Sequence, residues 1–250
     1  MTAITSPEHT LAPDQPLAAA IASLPGGAVL LLPPGRYRAN LVISKKLTLR
    51  AASGEVILDG GHRGSVLRIS GNDTFISLEK ITIAGGAGSA LLIEGGAVHL
   101  TDVTFRGNHA QAEQPGSAIA IVDGKLRLDR CLVEKNIGHA ALFIGGGAVA
   151  EITDTTFSHN SGGHGAVWVD EAARLTLVRA TFIDNRSRIA LHVTGTRFAA
   201  PIVSAAECRI TATIAVENGP RDPGSVTLSH CEVQGGVIGV TDGGGNRFAT

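Results

Sequence analysis

Aromatic residues are scarce in this chain: one Trp, one Tyr and seven Phe make up 4% of 250 residues. A core of ordinary size must therefore be packed from Val, Ile, Leu and Ala, which supply most of the 44% hydrophobic content. Cysteine numbers three, an odd count that makes no disulfide framework. Burial as small apolar thiols is the expectation for all of them. Neither sign of charge dominates, since 21 Lys and Arg against 22 Asp and Glu leave a net −1. No global field then recruits nucleic acid or an anionic membrane. No long apolar run is present either; Leu17 to Leu32 is broken by Pro25-Gly26-Gly27 and cannot span a bilayer. The opening Met1 to Glu8 lacks the basic and apolar regions of a secretory signal. These absences predict a chain without membrane insertion or a nucleic-acid partner, cytoplasmic as written, with export by a signal-less route left open.

Glycine is abundant instead, with 32 residues and no Gly-X-Y period, which points to many tight turns. Segments beginning at Ile76, Val98, Leu126, Ala150, Leu175, Val203 and Val226 align at spacings of 22 to 28 residues. Their first, third and eighth positions are apolar throughout; the eighth reads Ile83, Phe105, Val133, Phe157, Phe182, Ile210, Val233. Mostly polar residues lie between, the period-2 pattern of half-buried strands. A second strand follows in each unit, for example Leu142 and Ile144, Val167 and Val169, Leu191 and Val193. Short strands repeating near every 25 residues predict a solenoid in which each coil buries its faces against its neighbours. The predicted fold is all-β: a single-stranded right-handed parallel β-helix of about eight coils, carrying three parallel sheets.

Two further columns carry detail. The eleventh position reads Gly86, Asn108, Asn136, Asn160, Asn185, Thr213, Gly236. Gly and Asn tolerate a left-handed backbone, so this column is expected to mark the corner, with the asparagines stacked as an Asn ladder. The fifth position alternates in charge through Lys80, Asp102, Arg130, Asp154, Arg179, Glu207 and His230. It is expected to be a structural surface of opposite neighbours. Leu17 to Leu24 reads as a short amphipathic helix that caps the first coil. The chain thus divides, within one domain spanning 1–250, into an N-terminal extension (1–16), a capping helix (17–24), coils (28–240) and a flexible tail (241–250). The C-terminal end carries no comparable cap, so self-association through it is one expectation.

The stretch Ala22 to Tyr37, with Pro25-Gly26-Gly27 and Pro33-Pro34-Gly35-Arg36-Tyr37, resembles the start of bacterial pectin-lyase-like β-helix proteins. Phe105-Arg106-Gly107-Asn108, Phe157-Ser158-His159-Asn160 and Phe182-Ile183-Asp184-Asn185, with Gly95-Gly96-Ala97 and Gly146-Gly147-Ala148, are similar to the rung motifs of polymorphic outer-membrane adhesins. Gly163-His164-Gly165, with Arg188-Ile189 one coil on, is similar to part of the polygalacturonase signature. The preceding coil has Asn136-Ile137-Gly138-His139 where that family has an Asp-Asp pair. The β-helix resemblance implies the fold; its enzymes imply lyase or hydrolase action on an acidic polysaccharide, with His164 or Arg188 as the base.

The candidate site comes from the outward positions of the second strand on three consecutive coils: His139, Ala141, Phe143; His164, Ala166, Trp168; and Arg188, Ala190, His192. Flat rings beside hydrogen-bond donors suit stacking on a sugar and holding its hydroxyls or carboxylate. The ligand-binding set is therefore His139, Phe143, His164, Trp168, Arg188 and His192. A covering loop over the aromatics, Gln111 to Gly116 or Arg197 to Pro201, is the competing structural reading. A metal site on the three histidines lacks an evident carboxylate, so no metal and no cofactor is predicted. The expected function is a non-catalytic module presenting a surface to a polysaccharide or protein partner. The alternatives are a carbohydrate-active enzyme on an acidic polysaccharide and a module that stacks end to end.

Overall fold

The computed structural model describes residues 7–111, 114–195, 199–217 and 225–249. Every strand pair is parallel, and residues one coil apart stand directly beside each other. Ile76, Val98, Leu126, Ala150, Leu175, Val203 and Val226 are consecutive register partners. So are Ile83, Phe105, Val133, Phe157, Phe182, Ile210 and Val233. The inward alternation read from the sequence is thus realised residue by residue as a parallel β-solenoid of about nine turns. Two of its three strand stacks are fused into one 18-stranded sheet; the third is a separate sheet of ten strands. The fusion arises because Leu91–Thr101 and Gly116–Asp129 run unbroken around a corner that other coils mark with a turn.

The ends differ from expectation in two places. Within the segment read as an extension, Glu8–Thr10 forms a strand that pairs with Val29 to Leu31. The segment read as a flexible tail is the last turn: Val240–Asp242 pairs with Val226 to Leu228, and Arg247–Ala249 with Glu232 to Gln234. Asn246 holds it by donating to the Leu228 carbonyl and accepting from the Cys231 amide, both at 2.8 Å. The capping helix spans Leu17–Ser23, buries Leu17, Ala20 and Ile21, and has its C-terminal carbonyls of Ile21 and Leu24 bonded by Lys45 Nζ.

Left-handed corners fall at two columns, neither of them the one that glycine and asparagine suggested. Lys80, Asp102, Arg130, Asp154, Arg179, Glu207 and His230 all have φ between 50° and 58°. These are the alternating charges, and each puts its amide on a carbonyl of the next coil at 2.9–3.1 Å. Arg130 pairs with Asp102 and Arg179 with Asp154 across coils, at 3.0 and 2.6 Å. Such exposed pairs add little; the coil-to-coil amide bonds are what hold ordinary side chains in a backbone region they avoid. At the second corner the left-handed residue is Gly107, Lys135, His159 or Asp184, immediately before each asparagine.

The asparagines are buried instead. Asn108, Asn136 and Asn160 are each at most 1% exposed. Asn108 donates its Nδ2 to Asn136 Oδ1 at 2.9 Å, Asn136 to Asn160 at 3.0 Å, and Asn160 to Asn185 at 3.0 Å. The Oδ1 atoms of Asn136, Asn160 and Asn185 also accept the backbone amide of the preceding asparagine, and each Nδ2 also donates to a carbonyl one coil back. The buried side chains of Asn108, Asn136 and Asn160 thereby have both amide hydrogens and the carbonyl oxygen bonded, which is the condition for burying an amide. The file stops at Thr213; the Thr211 hydroxyl takes the place of the next amide donor by bonding the Phe182 carbonyl at 2.9 Å. The thiols of Cys131, Cys208 and Cys231 are free and buried.

Candidate functional site

Phe143, Trp168 and His192 are register partners on three successive coils. Their outward row is followed, two residues on, by Asp170 and Thr194, with Glu217 beside Thr194 on the next coil. His164 reaches the same row by a turn. Gly162 lies so close to the previous coil that a Cβ would sit 2.4 Å from the His139 carbonyl, and Gly165 has φ +92°. The His164 amide bonds that carbonyl at 2.8 Å. This glycine-rich bend folds the imidazole back over its own strand, where it stacks on Trp168 with centroids 4.1 Å apart and planes 12° from parallel. His139 flanks it from the coil before, at 5.6 Å and 15°.

Trp168 is consequently not an open platform, a point the sequence leaves undecided between an exposed ring and a covered one. His164 covers one face, Phe143 meets the indole edge-on at 4.8 Å, and Nε1 donates to Thr194 Oγ1 at 2.8 Å. Thr194 in turn donates to Asp170 Oδ1 at 2.7 Å. The indole is half-buried by its neighbours on the sheet face. The covering loops named above include residues 112–113 and 197–198, which lie outside the described residues. Ala141, Ala166 and Ala190, expected to face outward, are at most 1% exposed and belong to the core. Two consecutive residues face the core at this point of each coil: Ala141 and Leu142 both bond the Ala166 carbonyl and both are buried.

His164 and His192 meet through nitrogen atoms. Their Nδ1 atoms are 3.0 Å apart, with centroids at 5.1 Å and planes 11° apart. Two imidazoles lying nearly coplanar, nitrogen to nitrogen, give this combination, so one ring donates in plane to the other. His192 is 4% exposed, and its Nε2 lies 3.1 Å from Glu217 Oε1. It is a charge contact only: this buried nitrogen makes no hydrogen bond among the described residues. Burial, followed by the neighbouring His192 and His139, holds His164 below the ordinary imidazole range, while Glu217 and Asp170 pull it back up. Among the described residues no three His, Cys, Asp or Glu are grouped to hold a metal ion.

A depressed histidine binds fewer protons folded than unfolded, so its contribution to stability is complete above about pH 6.5 and is lost as pH falls below it. His99, lowered by burial and then by Arg127, acts in the same sense. The melting temperature should therefore fall between pH 7 and pH 5, and His164→Gln should reduce that slope. A slope unchanged in the variant would dissociate His164 from the acid loss.

Arg188 does not join this cluster. It is exposed, and with Arg209 it lines a depression of about 620 Å³ that also draws on Asn185, Thr211, Thr213 and Gln234. Neither guanidinium forms an ion pair among the described residues, in contrast to Arg36, Arg50, Arg68, Arg106, Arg130 and Arg179. Asp184 stands at its rim. The depression opens just before the strand Ile189–Thr194, whose fourth residue is His192, so the two features lie roughly 12 Å apart along one strand.

Asp170, Thr194 and Glu217 were not singled out from the sequence. Continuing the outward alternation two residues beyond Trp168 and His192 reaches the first two. Reading that row onto the next coil reaches the third.

A family described as right handed beta helix region matches residues 69–249 of the chain. No curated protein matches it. Among solved structures, a pectin methylesterase mutant in complex with a hexasaccharide is similar at 15% identity, with a TM-score of 0.44 over 94% of this chain and 82% of that one. The catalytic unit of a thermostable α-1,3-glucanase from Streptomyces thermodiastaticus is similar at 15% identity, with a TM-score of 0.34 over 91% of this chain. The match spans 64% of that glucanase unit. Among the described residues no helix is long and apolar enough to cross a membrane.

Proposed function

The chain belongs to the right-handed β-helix family, and on that scaffold we propose that it binds an acidic polysaccharide along the face running from the Arg188 depression to the imidazole row. The observation that carries this reading is the pair of uncommitted guanidiniums, Arg188 and Arg209, set among hydroxyl and amide groups in one depression. Guanidinium is the side chain best matched to carboxylate or sulfate groups, through paired parallel donors. Ring edges of His139 and His164 extend the same face with further polar atoms, and the packed rings beneath keep them in place.

Isothermal titration with polygalacturonate, with neutral dextran as the comparison, tests it. Binding to the acidic polymer alone is expected, with affinity reduced about tenfold or more in Arg188→Ala and again in Arg209→Ala, as for a lost charge-assisted contact. Equal binding of both polymers, or wild-type affinity in the double variant, would remove the depression from the reading. A second reading, chemistry on the bound ligand, is favoured by one observation: a carboxylate, Glu217, reaches the imidazole pair.

A further inference from the structure

We propose that Glu217, His192 and His164 form a proton relay that presents His164 Nε2 as a general base toward water or a ligand hydroxyl, for the hydrolysis of an ester. The inference uses the imidazole face as the ligand-facing surface but does not depend on which ligand the arginine depression takes.

The argument is one of tautomers. An ionised carboxylate repels a lone pair, so the His192 nitrogen lying 3.1 Å from Glu217 Oε1 carries a hydrogen, although the two form no hydrogen bond in this arrangement. A neutral His192 with its hydrogen on Nε2 then has its lone pair on Nδ1. The Nδ1 of His164 at 3.0 Å must supply the hydrogen for that contact. His164 is thereby left with its lone pair on Nε2, where no described residue bonds it. Its ring cannot swing away, because it is stacked on Trp168 and flanked by His139. The second chain, Trp168 to Thr194 to Asp170, fixes the indole on which it rests.

The same geometry says what happens when His164 takes a proton. The hydrogen on its Nδ1 can move to His192, whose new charge lies against Glu217. A base backed by a buried imidazole and a carboxylate meets the requirement of general-base catalysis, that the proton acceptor be held in one orientation and stay unprotonated near neutral pH. In ester hydrolysis the water oxygen bonds the acyl carbon while Nε2 takes the water proton. The acyl–oxygen bond of the tetrahedral intermediate then breaks, and the imidazolium returns the proton to the leaving oxygen. One ester and one water give one acid and one alcohol, with no oxidant and no other reactant.

The groups that face His164 are His139 on the coil before, Asp170 on its own coil, and His192 and Glu217 on the two coils after. Because His139, His192 and burial outweigh the carboxylates, its protonation falls below the ordinary imidazole range. The pH–rate curve should therefore have its midpoint below about pH 6.5.

The experiment follows 4-nitrophenyl acetate hydrolysis, corrected for buffer, by the wild type, His164→Gln, Glu217→Gln and, as an ordinary surface imidazole, His109→Gln. Circular dichroism establishes that each is folded. The protein-dependent rate is expected to fall about tenfold or more in His164→Gln, to fall less and shift its pH midpoint in Glu217→Gln, and to stay unchanged in His109→Gln. Nitrogen-15 NMR reads the tautomers without any substrate: His164 should carry its hydrogen on Nδ1 and His192 on Nε2. A rate indifferent to His164→Gln overturns the base. The opposite tautomer at His164 overturns the relay. Neither result alters the polygalacturonate titration, so failure of this inference and failure of the binding reading remain distinguishable.

Discussion

Replacing Phe157 by Ala is expected to lower the stability of the protein by about 3–5 kcal/mol, the range for emptying a large aromatic site in a packed core. Phe157 is fully buried and stacks on Phe182 with centroids at 5.0 Å and planes 6° apart. Val133 stands on its other side, one coil back. The coils are clamped above and below by strand hydrogen bonds at fixed spacing, so the space cannot close by letting the backbone sink. Cavities that cannot collapse sit at the costly end of the range. Urea unfolding of the variant beside the wild type measures the difference. A loss below about 1 kcal/mol would contradict the inward register of the whole Ile83 to Val233 column.

The second large effect separates two adjacent residues. Asn160→Gly should cost about 3 kcal/mol or more, because a buried polar group left without its partner carries roughly 1–3 kcal/mol each. The side chain removed serves the Asn136 amide and Nδ2 and the Val133 carbonyl, all in the interior, and the part-buried Asn185 Oδ1. His159→Gly, one residue earlier, should be neutral or slightly stabilising, since His159 is exposed with φ +55° and glycine relieves a left-handed cost of about 1 kcal/mol. The two variants, compared by the same unfolding assay, should therefore differ widely in midpoint. The reverse order would return the left-handed corner to the asparagine.

That pair of residues also shows where the sequence was legible and where it was not. Columns such as Ile83 to Val233 could be read because a two-residue alternation survives in one dimension, whatever the coil length. The corner could not, because its conformation is imposed by amides bonding to the next coil, and Lys80, Arg130 or Glu207 bear no mark of that. Asparagine looked like a corner residue by its intrinsic tolerance, while its actual use here depends on the same residue recurring on four coils in the interior. At the site, Phe143, Trp168 and His192 were readable as one outward row. Ala141, Ala166 and Ala190 were misplaced by a single extra inward residue, since one insertion reverses every face that follows. His164 on Trp168 was not readable at all: the contact is made by a glycine bend, and alternation holds only inside a strand. Arg188 was placed in the row by the same counting, and the bend before Ile189 moves it to the depression.

The file of side-chain amides, which runs from Asn108 to Asn185 and stops at Thr213, divides the molecule thermally. A stack in which each coil touches only its neighbours opens from its weakest end inward. The coils joined by the amide file share one cooperative fate, and those beyond it are held by strand bonds and packing alone. His164 and His192 belong to the joined block; Glu217 lies on the first coil outside it. Warming is thus expected to part the carboxylate from the imidazoles while most of the stack is still wound, so that any hydrolysis needing all three is lost at a lower temperature than the fold, as a rate and a melting curve on one sample would read.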